Sequence, residues 1–295
     1  MKTISSSIIF ILLITSINLH AEWLPFTLKN NHITIDIEFN GQPARAILDS
    51  GAESNAVSAF YVERYNDGIY TSGNVNVVGV NGTQKRSQYS NVPVKLFGAE
   101  FTLNKLVAFN LGGSAILLGA PFFKNLIVQI DYPNSRIQLL PKKSIDMNKF
   151  KNVNIKRQRG TLLPAIEVKI NNKNVWLTLD TGNNGGLFMK RSYALENNWL
   201  STNTELRESR ARGVNGIAMT ETFDLPSLLI GPYELENIPV TIPTKGEASN
   251  VGRRAREYGS FNKGKQTRGL LGYDILKHFV ITIDYSNYKV HIVAP

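Results

Sequence analysis

The chain contains two copies of one pattern. The apolar run Ala46-Ile47-Leu48 leads into Asp49-Ser50-Gly51, and Leu177-Thr178-Leu179 leads into Asp180-Thr181-Gly182, with the two aspartates 131 residues apart. Upstream, Phe39-Asn40-Gly41-Gln42 is matched by Ile170-Asn171-Asn172-Lys173. Downstream, Gly79-Val80-Asn81-Gly82 is matched by Gly213-Val214-Asn215-Gly216, and Leu117-Leu118-Gly119 by Leu270-Leu271-Gly272. Twelve residues past those last glycines stand Asp131 and Asp284, each inside an Ile-Asp-Tyr triplet. Landmarks that recur in one order at nearly constant gaps mark an internal duplication, each copy about 125–150 residues long. A chain of 295 residues is also long enough for two domains. The copies differ most between the Gly-Val-Asn-Gly and Leu-Leu-Gly elements. There the second is 19 residues longer, and Lys245–Lys265 reads as an insertion.

Alternation of apolar and polar residues dominates each copy. His32–Phe39 and Ala165–Ile170 switch with period two, the pattern of a half-buried strand. Val92–Leu96, Phe101–Phe109, Ser227–Ile230 and Ile238–Ile242 add short strands punctuated by Gly, Pro or Asn. Helical signal is confined to Ala120–Leu126, Tyr273–His278 and Arg191–Asn198. Many strands and few helices predict an all-β protein of two sandwich- or barrel-like lobes. Asn40-Gly41 and Asn171-Asn172 read as hairpin turns. The expected division is a leader at 1–21, a first lobe at 22–145, a polar Lys-rich linker at 146–160 and a second lobe at 161–295.

Composition removes several chemistries. With no cysteine, the chain has no disulfide framework, thiol nucleophile or zinc–thiolate site. Its four histidines show no metal-ligand spacing, no phosphate-binding Gly-rich strand–helix junction is present, and no metal or cofactor is expected. The formal charge of +10 gathers at 142–159 and 253–268 without the interleaved aromatics of a base-stacking surface. It reads as a solvated linker and a solvated loop rather than a nucleic-acid site. Met1-Lys2 followed by the apolar run Ile8–Ile14 resembles a secretory leader ending at Ala21. The run is too short to span a membrane comfortably, so no stable span is expected once the leader is removed. Export without disulfides points to a bacterial periplasm or the medium.

An apolar strand ending in Asp-[Ser/Thr]-Gly delivers a carboxylate to the end of a dry interior. The following Gly51 or Gly182 permits a tight turn and a close approach from the opposite half. The hydroxyl of Ser50 or Thr181 can hydrogen-bond backbone across that junction. One such aspartate reads most simply as a turn residue; two at equivalent positions read as a pair, Asp49 and Asp180, able to activate water against a peptide bond. Asp131 and Asp284 also recur, but each ends an apolar strand before Tyr and is expected to be structural.

These residues resemble the aspartic protease family, specifically its retropepsin-like branch. Asp49-Ser50-Gly51-Ala52 and Asp180-Thr181-Gly182 match the family's catalytic triplets, and the two Leu-Leu-Gly elements match its hydrophobic-hydrophobic-Gly motif. The resemblance covers most of residues 30–295. It implies a single-chain, monomeric pseudo-dimer of two β-barrel lobes with the active site in the cleft between them. An extended peptide or protein would be its substrate. It further implies that Gly79, Val80, Asn81 and Gly82, and Gly213, Val214, Asn215 and Gly216, are the tips of hairpin flaps. Asn183-Asn184-Gly185-Gly186 departs from the family pattern, and neither tip carries the aromatic residue of pepsin flaps. The expected function is an exported aspartic endopeptidase; the alternative is a non-catalytic peptide-binding or inhibitor-like protein on the same scaffold.

Overall fold

The architecture is that of a computed structural model, which describes residues 22–79, 82–213, 216–247, 249–250 and 263–295. The leader expected at 1–21, the turn residues Val80, Asn81, Val214 and Asn215, and most of the basic insertion lie outside the described residues. Strand exceeds helix by 54% to 9%, as the alternation predicts.

Each copy begins with a hairpin. His32–Phe39 pairs antiparallel with Gln42–Leu48, and Pro164–Ile170 with Lys173–Leu179. Their turns have left-handed backbone at both central residues, Asn40 (φ 46°) and Gly41 (φ 76°), and Asn171 (φ 46°) and Asn172 (φ 63°). Two consecutive left-handed residues match the right-handed strand twist, and Asn and Gly tolerate that conformation. The second strand of each hairpin runs parallel to the Leu-Leu segment of its own copy, with Leu48 opposite Leu118 and Leu179 opposite Leu271. In the second lobe Pro164–Ile170, Lys173–Leu179, Gly269–Leu271, Leu187–Met189, Tyr233–Pro243 and Gly216–Ile230 close into a ring through the Lys169–Leu229 pairing.

The first lobe follows the same path with interruptions. The segment expected as one strand, Phe101–Phe109, is two, Ala99–Leu103 and Leu106–Phe109, broken at Lys105 (φ 57°). Asn91 (φ 59°) likewise separates Gly82–Ser90 from Val92–Leu96. Helices are shorter than the sequence pattern implies: Ala120–Phe123, Tyr273–Leu276 and Arg191–Glu196, with Ala59–Arg64 additional.

The lobes are joined by more than a linker. Strands Leu24–Pro25, Arg136–Leu140 and Ile127–Asp131 from the first copy continue into Val280–Asp284 and Lys289–Val293 from the second as one sheet. At its centre Gln129 pairs with Thr282, its own counterpart, and donates to the Thr282 hydroxyl at 2.9 Å. Flanking pairs exchange counterparts, Val128 with Ile283 and Ile130 with Ile281. A position that pairs with its own repeat lies on a local twofold axis, as in an isologous dimer interface. Ile130, Ile281 and Ile283 are essentially fully buried, and the main apolar core runs continuously through both lobes. The 146–160 stretch corrects the linker expectation in part. Met147–Phe150 is a helical turn capped by Asp146, and Ile155–Arg157 is a strand of the second lobe paired with Pro164–Ile170.

Asp131 and Asp284 end strands of that sheet and cap the turns that follow. Asp131 accepts from the Asn134 backbone and side chain and from Arg136 Nε at 2.7 Å; Asp284 accepts from the backbone and side chain of Asn287. Burial opposes ionisation of Asp131, yet the bonds from Asn134 and Arg136 prevail and hold its carboxyl below the usual range.

Candidate active site

The two Asp-[Ser/Thr]-Gly turns meet at the other end of the same axis. Asp49 N–H donates to Leu118 O and Asp180 N–H to Leu271 O, both at 3.0 Å. Each Leu-Leu-Gly element thereby holds the aspartate of its own copy. Across the junction the hydroxyls interlock. Ser50 Oγ donates to Leu179 O at 2.8 Å and accepts from Thr181 N–H at 3.0 Å. Thr181 Oγ1 donates to Leu48 O at 3.0 Å and accepts from Ser50 N–H at 2.9 Å. Ser50 and Thr181 are essentially fully buried, so all four bonds are shielded from water. A hydroxyl donates once and accepts twice, which is why Ser and Thr can bind two backbone groups of the opposite turn at once.

The glycines set the distance between the carboxyls. A Cβ placed on Gly51 would run into the Asp180 carboxyl, and one on Gly182 into that of Asp49. Gly51 N–H donates to Asp49 Oδ1 and Gly182 N–H to Asp180 Oδ1, each at 2.9 Å. So oriented, the two carboxyls face one another across the junction. Burial raises the Asp49 pKa, against the lowering effect of its contact with Asp180. Burial, then the Asp49 charge and the contact between them, raise Asp180 well above the carboxylate range. Two like charges this close cannot both persist, so the pair retains a proton that belongs to both. Asp180 is buried and Asp49 half-buried, which leaves the pair open on one side.

The loops beyond the glycines achieve one geometry with different atoms. In the first lobe Gly119 N–H donates to the Asn55 side chain at 2.9 Å; in the second Gly272 N–H donates to Gly186 O at 3.0 Å. The Asn183–Gly186 segment that departs from the family pattern stabilises itself. Asn183 Nδ2 donates to Gly186 O and Asn183 Oδ1 accepts from Gly185 N–H, while Asn183 O accepts from Tyr273 N–H. The equivalent bond in the first lobe runs from Ala120 N–H to Ala52 O.

Gly79 and Gly82 form the last pair of a hairpin made of Tyr70–Gly79 and Gly82–Ser90; Gly213 and Gly216 close one made of Arg207–Gly213 and Gly216–Ile230. Three participants escape sequence reasoning. Tyr285 donates to Ser50 O at 3.2 Å, and burial pushes its pKa upward, so it stays a donor. Asn55 supports Gly119, as above. Asn250, from the insertion of the second lobe, donates to Gly79 O at 2.8 Å and Gly82 O at 3.2 Å on the first hairpin. The repeat of Ile-Asp-Tyr was a signal for Tyr285; Asn55 and Asn250 have no counterpart in the other copy and gave none.

Two lobes around a twofold axis with one Asp-[Ser/Thr]-Gly turn from each define the aspartyl protease class. Comparison with known families agrees for each lobe separately. Residues 35–125 match the family described as gag-polyprotein putative aspartyl protease, and residues 166–275 the family described as aspartyl protease. The chain belongs to the retropepsin-like aspartyl protease family. No curated protein matches it.

Proposed function

We propose that the protein is an exported aspartic endopeptidase whose Asp49–Asp180 pair activates water against a peptide bond. The observation that carries this reading is the two aspartates brought together at the junction, each carboxyl against the glycine of the opposite turn, held on the axis by a buried, reciprocal hydroxyl lock. In the singly protonated pair, the ionised carboxyl takes a proton from a water between them. The neutral carboxyl donates to the scissile carbonyl oxygen, where negative charge develops. Attack gives a tetrahedral diol; one carboxyl then gives its proton to the amide nitrogen while the other takes a proton from a diol hydroxyl, so that the C–N bond breaks, the amine leaves, a carboxylic acid product forms and the pair again holds one proton. The step uses no covalent intermediate and asks for no metal.

The rigidity of the turns supports this role, because fixed donors need no reorganisation at the moment of reaction. The paired hairpins provide strand edges against which an extended peptide can lie. Export rests on the N-terminal segment. The substrate is an extended peptide or an unfolded protein segment, and one chain supplies both aspartates, so the working unit is a monomer.

The test is cleavage of an unfolded protein mixture from about pH 3 to pH 8 by the wild type and by Asp180→Asn. The expected result is acid-favoured cleavage that the variant lacks. A folded wild type that cuts nothing at any pH, or a variant that cuts as well, removes the reading.

A further inference from the structure

The lobes are built alike, but their faces toward the carboxyl pair are not lined alike. Side chains alternate along the strand into Asp49: Ala46 and Leu48 point into the barrel and are fully buried, which places Ile47 on the side of Asp49. On that side a cluster apart from the main core contains Val107 and Phe109, with Ile47, Ala52, Val75 and Val77 packed against it. Ala52 directly follows the Asp49 turn, and Val75 and Val77 come from the first hairpin. The apolar surface is therefore the cleft wall beside the pair.

The duplication supplies counterparts for Val75, Val107 and Ile47. Val75 lies four residues before Gly79, and Ser209 four before Gly213. Val107 pairs with Ala56, which pairs with Leu117; Thr241 pairs with Phe188, which pairs with Leu270. Ile47 and Thr178 each stand two residues before their aspartate. Where the first lobe has Val, Val and Ile, the second has Ser, Thr and Thr. The hydroxyls of Ser209 and Thr241 belong to one connected patch: Ser209 Oγ lies 2.9 Å from Thr220 Oγ1 and 3.3 Å from Thr222 Oγ1, which lies 3.1 Å from Thr241 Oγ1. Thr178 stands apart from it, buried and donating to Gln158 Oε1 at 2.7 Å. Ser209, Thr222 and Thr241 are half-buried, so the patch is accessible to a bound chain.

A peptide centred on the carboxyl pair lays one flank of the cut bond against each lobe. An apolar side chain gains by covering Ile47, Val75 and Val77, which are half-buried where they pack against Val107. The same side chain over the Ser209–Thr241 wall strips water from hydroxyls without replacing its hydrogen bonds, whereas a small or hydroxyl- or amide-bearing side chain replaces them. We propose that the cleft is chemically two-sided: it selects an apolar residue on one flank of the cut and a small polar residue on the other. Ser209 and Thr241 are the specificity-determining residues of the polar side. This inference rests on the peptidase reading.

The experiment is cleavage of a peptide library with the cut sites read by mass spectrometry. Only cuts absent from the Asp180→Asn digest are counted. Unlike preferences on the two flanks are expected. Ser209→Val with Thr241→Val should raise the acceptance of apolar residues on the polar flank by about tenfold, leaving the other flank unchanged. Val75→Thr should weaken apolar preference on the opposite flank alone, and it tests the same idea if the double variant does not fold. Carboxyl-dependent cuts with equal preferences on both flanks, or variants that move the wrong flank, overturn the two-sided cleft while the peptidase reading stands. No carboxyl-dependent cut at all removes both.

Discussion

In the second lobe the barrel wall runs unbroken through Gly216–Ile230 and Tyr233–Pro243; in the first the same path is cut at Asn91 and Lys105. The first lobe gathers Val, Ile and Phe beside its aspartate, and the second a chain of Ser and Thr hydroxyls. Yet at the junction the lobes match almost atom for atom. Each aspartate is tied to its own Leu-Leu segment, each glycine faces the opposite carboxyl, and each hydroxyl bonds the opposite strand. A group at the carboxyl junction must satisfy the other lobe's turn as well as its own, so there both copies are held to one solution. A group away from the axis answers only to its own lobe, and there the copies have diverged.

The comparison can be broken most directly at the carboxyls. Asp49→Asn and Asp180→Asn should each reduce cleavage by about 10⁴-fold or more, because the two act as a unit. A variant of one that keeps most of the activity would show that the pair is not symmetric in function. The same substitution should change stability with pH. Carboxyls whose folded pKa is raised contribute stability that is present below their unfolded pKa and lost as pH rises through the folded value. Asp180→Asn should therefore raise Tm near neutral pH, with the difference vanishing below the ordinary carboxylate range. Asp131 has the opposite sign: its depressed pKa stabilises the fold above the ordinary range, and Asp131→Asn should destabilise at neutral pH and progressively less as pH falls.

Gly51→Ala and Gly182→Ala come next. Each Cβ would displace the opposite carboxyl, and a misplacement of that kind costs about 10²-fold in kcat. Near-equal losses would support the symmetric junction, to be checked by single-turnover rates. Ser50→Ala and Thr181→Ala each leave buried backbone groups without a partner. About 1–3 kcal/mol of stability should go with each, measured by denaturant unfolding. Smallest is Asn250→Ala, which removes bonds to the first hairpin alone. Amide exchange should quicken near Gly79 and Gly82, at a cost of about 0.5–1.5 kcal/mol to local opening and none to the second hairpin.

Much of this was legible in the residues. Period-two alternation, the Asn-Gly and Asn-Asn turns and the Asp-[Ser/Thr]-Gly repeat carry local information that the fold did not override. The expected strand Phe101–Phe109 failed at Asn104-Lys105, where two consecutive polar residues interrupt the alternation. The break there is a left-handed Lys105, a conformation for which Lys carries no signal. The stretch 146–160 looked like a linker because its charges mask Ile155, which is buried against the second lobe. Asn183–Gly186 looked like a defect in the motif; its asparagine instead supplies the bonds that hold the loop.

By itself the sequence determined that there would be two similar β lobes, each ending a strand in Asp-[Ser/Thr]-Gly, because periodicity and turn chemistry are properties of neighbouring residues. Only the tertiary structure decided how those lobes face one another. The pairing of Gln129 with Thr282, the reach of Ser50 to Leu179 and of Thr181 to Leu48, and the pressing of Gly51 on Asp180 join residues more than a hundred positions apart. The raised pKa values of the two carboxyls follow from that closeness and from burial, neither of which exists until the chain has closed on its own axis.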